Sequence, residues 1–237
     1  MSYILMPFSV QSSNSRLFIS AQAIKSLLLA VFMFASSFSF AAPVIIPRPP
    51  EVAATSYILM DAKTGQVLIE ENADETLPPA SLTKIMTAYV VVEEIINGNL
   101  ALSDEVHISE KAWRMEGSKM FVGVDTQVKV EDLLRGIIIQ SGNDASVAIA
   151  EHIAGSEEAF ADMMNQYAEV LGMTQSYFMN ASGLDTELYY NTMSARDLAI
   201  LAQATISRHA EFYPMYAERE YTYNDIRQSN RNLLLFR

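Results

Sequence analysis

Ser81 and Lys84 lie three residues apart in the run Pro78-Pro79-Ala80-Ser81-Leu82-Thr83-Lys84-Ile85-Met86-Thr87. On a helix, positions i and i+3 share a face, so the hydroxyl and the amine would stand side by side. That pairing is the minimum for an activated serine nucleophile, provided the amine is neutral part of the time. Burial in an apolar helix and nearby positive charge both lower a lysine pKa. The start of the helix adds free N–H groups and a positive dipole end, with the Ser81 N–H as one donor to an oxyanion. Taken alone, the pair fits equally a helix cap followed by a surface lysine.

A second cluster, Ser141-Gly142-Asn143, lies between two helical runs. A serine there could relay a proton to a leaving amine. An asparagine could hydrogen-bond a substrate amide or a lysine. The same three residue types also make an ordinary turn. Other chemistries are poorly supplied. The chain has no cysteine, which removes thiolate nucleophiles, disulfides and zinc–thiolate sites. His107, His152 and His209 are widely separated and form no metal-ligand spacing, so exposed or hydrogen-bonded histidines are expected. A net charge of −12 argues against a nucleic-acid partner.

The elements that must position these residues follow from hydrophobic pattern and turn chemistry. Two β-rich runs, 56–60 and 66–70, flank Asp61-Ala62-Lys63-Thr64-Gly65 and read as a hairpin. Residues 81–96 read as a largely buried helix closed by Asn97-Gly98-Asn99, at the centre of a domain. Residues 103–123 read as short polar turns. Further helices are predicted over 130–140, 145–154, 157–171 and 195–207, the last capped by Ser194. From Glu220 the chain returns to β-type residues. Hairpin, helical block and strand make an α+β layout.

Residues 1–41 read as an export signal. Arg16 and Lys25 give a positive leading region, residues 26–35 an apolar stretch, and Ser39-Phe40-Ala41 a cleavage site. An uncleaved anchor is the alternative, although the apolar run is short for a span. Residues 42–55 read as a proline-rich lead and residues 56–237 as the folded domain.

With the export signal, the two motifs resemble those of the penicillin-recognising serine enzymes, which carry S-x-x-K, S-D-N and K-T-G. Residues 79–87 are similar to the nucleophile helix of the low-molecular-mass penicillin-binding proteins that are D-alanyl-D-alanine carboxypeptidases. Residues 136–145 are similar to their second motif. Ser182-Gly183-Leu184-Asp185, Ser194-Ala195-Arg196-Asp197 and residues 226–232 match family patterns in the same order. The resemblance implies a β-lactamase/transpeptidase-like fold, an antiparallel sheet with a helical subdomain. It implies removal of the terminal D-Ala from peptidoglycan stem pentapeptides, in cell-wall remodelling and cell-shape maintenance. Ser81 would be the nucleophile, Lys84 its base, Ser141 the proton relay and Asn143 the holder of the substrate amide. β-Lactams would acylate Ser81. No cofactor or metal is implied, and the family works in the periplasm, on the outer face of the inner membrane.

Lys63-Thr64-Gly65 precedes Ser81 and falls at the hairpin turn, so it is read as a coincidence. The family's K-T-G strand, β-rich domain and amphipathic anchor follow the point where this sequence stops. The catalytic domain is therefore expected to be partial, with an incomplete sheet and little or no turnover for these residues alone. The competing readings are a non-catalytic peptidoglycan- or penicillin-binding fragment and a serine β-lactamase.

Overall fold

A computed structural model describes Gln22, Lys25, residues 51–184, Thr186 and residues 190–237. The export signal and residues 42–50 of the proline-rich lead lie outside the rest of that set. No described helix is long and apolar enough to cross a membrane.

The expected hairpin is present. β1 (Tyr57–Met60) pairs antiparallel with β2 (Val67–Glu71). Its turn is built by Asp61, whose Oδ1 accepts from Lys63 N at 3.1 Å, Thr64 N at 2.7 Å and Thr64 Oγ1 at 2.7 Å. Gly65 sits at φ 73°, a left-handed conformation that costs glycine least.

The chain then passes Leu77, bridged antiparallel to Met193, into a short 3₁₀ turn, Ala80–Leu82, and directly into α1 (Thr83–Ile96). α1 lies between two cores. Ala88, Val91 and Val92 join one, with Leu133, Leu134, Val147 and Ile149. Met86, Tyr89 and Val90 join the other, with Phe160, Met164 and Leu201. Burying each large side chain contributes about 1.5–3 kcal/mol. This two-sided burial is why the helix is apolar almost all round, and it anchors the segment that carries Ser81 and Lys84.

Two small features replace the polar turns expected over 103–123. β3 (Glu105–His107) pairs antiparallel with β4 (Gln127–Lys129). α2 (Glu110–Arg114) is capped by Ser109 Oγ, which accepts from Ala112 N at 3.0 Å. Both are too short to show a period in the sequence.

The helix expected over 130–140 is divided. α3 (Val130–Arg135) is regular, and Gly136–Gln140 continues as a π-helical turn. Gly136 permits close packing here, since a Cβ on it would stand 2.4 Å from Met120 Sδ. The turn ends at Ser141 in left-handed conformation, φ 63°. α4 (Asn143–Ala154) then starts two residues earlier than predicted. The Asp144 side chain helps set that start, as its Oδ1 accepts from Ala145 N at 2.9 Å.

α5 (Glu157–Leu171) and α6 (Ala195–Arg208) match expectation to within a residue. Ser194 Oγ caps α6 by accepting from Asp197 N at 3.1 Å. β5 (Glu220–Tyr223) and β6 (Ile226–Ser229) form a third antiparallel pair. The architecture is α+β. Among the described residues the strands pair two by two, around a helical block.

Candidate active site

Ser81, Lys84 and Ser141 line one pocket of about 100 Å³ with Ile85, Ile137, Ile138 and Tyr216. Ser81 is exposed on the 3₁₀ turn, and Lys84 lies one turn further in, within the first turn of α1. The 3₁₀ geometry keeps i and i+3 on one line, so the sequence pair is realised as a spatial pair. Ala80 immediately before it adopts φ 46°, which turns the chain sharply ahead of Ser81.

Lys84 is only 4% exposed. Burial, then the positive charge of Arg231, push its pKa down to about 8, against a smaller upward pull from Asp144. A lysine in that range is neutral for a useful fraction of the time near pH 8. Its Nζ donates to Ser182 O at 2.5 Å. This carbonyl, 98 residues further along the chain, had no role in the sequence reading.

Ser141 Oγ is buried and has no hydrogen-bond partner among the described residues. A buried hydroxyl without a partner costs about 1–3 kcal/mol unless something occupies its bonding positions. Ser141 lines the pocket shared with Ser81 and Lys84, where a hydroxyl can both donate to and accept from a bound molecule. The left-handed backbone at Ser141 closes the π-helical turn that precedes it.

Asn143 does not line this pocket. It is buried in the first turn of α4, and its Nδ2 donates to Glu116 O at 2.7 Å. Gly117 allows that approach, because a Cβ there would sit 2.9 Å from Asn143 Nδ2. What Asn143 has left to offer is its side-chain carbonyl and the second N–H of Nδ2. The neighbouring Asp144 carboxylate accepts from Met120 N at 2.9 Å, Phe121 N at 2.9 Å and Val122 N at 3.2 Å. It ties the second motif to the segment that packs on Gly136.

The segment carrying Ser182 is held from several sides. Asn180 Oδ1 accepts from Ser182 N at 3.1 Å and Gly183 N at 2.6 Å. Glu157 Oε1 accepts from Ala181 N at 3.1 Å, and Thr87 Oγ1 on α1 donates to Ala181 O at 2.6 Å. Gly183 packs so tightly that a Cβ would meet Ala80 O at 1.9 Å. Ser182-Gly183 and Arg231 were noticed in the sequence only as pattern matches. No local spacing could have assigned a backbone carbonyl or a remote charge to Lys84.

Lys63-Thr64-Gly65 is absent from the pocket lining and exposes Lys63 and Thr64 at the hairpin turn. The Thr64 hydroxyl and amide hold the Asp61 carboxyl below its ordinary range, a turn-building role. Lys63→Ala should leave penicillin labelling of the full-length protein within twofold of wild type. A gel assay with a fluorescent penicillin checks it, and a large loss would return the triplet to the site. The histidines are also accounted for. His107 and His152 are exposed, while buried His209 pairs through Nε2 with Glu93 Oε1 at 2.8 Å and lies against the Tyr89 ring. Among the described residues no group of side chains could hold a metal ion.

A sequence profile described as D-alanyl-D-alanine carboxypeptidase matches residues 44–237. The D-alanyl-D-alanine carboxypeptidase DacC of Escherichia coli K12 is 46% identical over 212 residues, covering 87% of this chain and 52% of DacC. DacA of the same strain is 45% identical over 198 residues, covering 81% of this chain and 49% of DacA. The chain thus spans about half the length of the curated relatives it matches. Penicillin-binding protein 5 of Haemophilus influenzae superposes with a TM-score of 0.77 at 43% identity, over 81% of this chain and 56% of that one. The fold is therefore that of the transpeptidase/β-lactamase class. From the profile match and these relatives together, the chain belongs to the D-alanyl-D-alanine carboxypeptidase family.

Proposed function

We propose that this domain acts as a serine-type D-Ala-D-Ala carboxypeptidase on peptidoglycan stem peptides. The observation that carries the reading is the pocket shared by Ser81, the depressed Lys84 amine and the unpartnered Ser141 hydroxyl.

Ser81 Oγ attacks the carbonyl carbon of the penultimate D-Ala as neutral Lys84 takes the hydroxyl proton. The Ser81 N–H, at the start of the helical turn, is one donor to the oxyanion that forms. Collapse of the tetrahedral species breaks the C–N bond. Ser141 gives its proton to the departing D-Ala nitrogen and is reprotonated from the Lys84 ammonium. Water then attacks the ester carbonyl as neutral Lys84 takes its proton, the C–O bond to Ser81 breaks, and the lysine ammonium returns that proton to Ser81 Oγ as the shortened peptide leaves. Asn143 contributes its side-chain carbonyl to a substrate amide N–H. A β-lactam follows the same first step, and its ring opens onto Ser81.

We place the protein outside the cytoplasm, with residues 1–41 as its export signal and the periplasmic cell wall as its substrate. Membrane association is assigned to the C-terminal anchor of the family.

Incubation of the full-length protein with a fluorescent penicillin, followed by peptide mapping, tests the assignment. A long-lived adduct on Ser81 is expected, with release of D-Ala from a D-Ala-D-Ala tripeptide. Rapid turnover of the penicillin would indicate a β-lactamase instead. No adduct on any serine would leave a non-catalytic binding module.

A further inference from the structure

Asn191 is fully buried at 0% exposure and spends its side chain on both halves of the base site. Its Nδ2 donates to Thr83 Oγ1 at 2.9 Å, the residue just before Lys84. The same amide nitrogen donates to Asn180 O at 3.1 Å and Asn180 Oδ1 at 3.3 Å. Its Oδ1 accepts from Met179 N at 2.7 Å and Asn180 N at 3.2 Å. One carboxamide therefore joins the first turn of α1 to residues 179–180. Asn180 in turn closes the bend that aims the Ser182 carbonyl at Lys84 Nζ. The backbone around Asn191 is itself anchored, by the bridges Tyr177 to Thr192 and Leu77 to Met193.

A neutral lysine amine has two N–H groups and one lone pair. Unrestrained rotation about its last carbon–nitrogen bond would point that lone pair in three directions. Donating one N–H to a fixed carbonyl removes much of this freedom, and the lone pair is then presented to one side. Productive proton transfer needs the acceptor within hydrogen-bond reach and correctly directed. A carboxamide suits the task because it donates and accepts at once without adding charge beside the amine.

We propose that Asn191 is a positioning residue for the serine-acylation reaction, acting through Asn180 and the Ser182 carbonyl to orient Lys84. It touches neither substrate nor the reacting atoms. The inference rests on the carboxypeptidase reading for its kinetic test, and on the contacts alone for its chemical one.

In the full-length protein, Asn191→Ala should lower the maximal acylation rate constant for a penicillin about 10–100-fold. The apparent affinity of the preceding non-covalent complex should stay within twofold. The acid limb of the acylation profile should move upward from about pH 8, because a loosened 179–183 segment admits water to the buried amine. Should Asn191→Ala fail to fold, Asn180→Ala carries the same test, since Asn180 Oδ1 accepts from Ser182 N and Gly183 N. Competitive acetylation of Lys84 with acetic anhydride, read by mass spectrometry against pH, reports the amine without requiring acylation. An unmoved limb with a rate constant within twofold of wild type would overturn the proposal. So would an unmoved Lys84 acetylation profile in both alanine variants. Failure of wild type to acylate, with the acetylation profile shifted as expected in the variants, would count against the carboxypeptidase reading and leave the positioning role standing.

Discussion

Lys84→Met should reduce the acylation rate of the full-length protein by about 100–10,000-fold, the range general-base catalysis supplies, while leaving the fold intact. Stability discriminates a lost base from a lost structure. The gap between the ordinary 10.5 and about 8 means that protonating this amine in the folded chain costs about 3 kcal/mol more than in the unfolded one. The unfolded state binds the extra proton between those two values. The group therefore destabilises the fold below about pH 8, and stability recovers as pH rises from about 8 toward 10.5. Methionine removes that cost but leaves the Ser182 carbonyl without its donor, a loss of about 1–3 kcal/mol. At neutral pH the two oppose each other and leave the variant equal to wild type or up to about 2 kcal/mol more stable. Its urea midpoint at pH 7 should be no lower than that of wild type. At pH 10 the variant should be the less stable of the two. Stopped-flow acylation across pH 6–10 should show the wild-type rate climbing through about pH 8. A variant that still acylates within tenfold of wild type would remove Lys84 from the base role.

Gly183→Ala should be nearly as damaging by another route. The added methyl meets two penalties. At φ 70° a side chain costs about 1 kcal/mol relative to glycine. The larger penalty is steric, since the new Cβ would stand 1.9 Å from Ala80 O and 2.6 Å from Ala80 C. Those atoms belong to backbone, and they immediately precede Ser81, so relief requires the Ser81 turn or the Ser182 segment to retreat. Overpacking of this kind costs about 1–3 kcal/mol. A displacement near 1 Å at the reacting group can cost about 100-fold in rate. The expected result is a clear fall in urea midpoint together with an acylation rate at least 100-fold below wild type. Near-normal acylation in a folded Gly183→Ala protein would show that the Ser81 turn and the Ser182 segment are not coupled.

The parts of the site that were legible in the sequence are those written in contiguous residues. Ser81 and Lys84 share one turn, so their spacing translates directly into proximity. Ser141-Gly142-Asn143 announced a sharp joint between helices, although Asn143 belongs to the helix and holds the Glu116 carbonyl. Long elements with a clear period, such as α5 and α6, were legible for the same reason. The π-helical turn at Gly136–Gln140 was not, because Ile137-Ile138-Ile139 is compatible with any buried helix. Its irregularity accompanies Met120 packed against Gly136, a contact between distant residues. The Ser182 carbonyl and the Asn191 carboxamide were illegible on stronger grounds. The first is a backbone group that every residue possesses. The second acts through hydrogen bonds to residues 83, 179 and 180 that no local pattern can reveal.

The distance in sequence between Lys84 and Ser182 has a consequence for the newborn chain. Synthesis delivers the Ser81 turn first, and the carbonyl that receives the lysine emerges 98 residues later. Until the later segment docks, the amine is open to water and keeps its proton at neutral pH. The low pKa arrives only when the two halves of the chain close on each other, so an unfinished or misfolded copy carries a far smaller share of neutral amine beside Ser81. Completion of the fold is in this sense the step that tunes the amine.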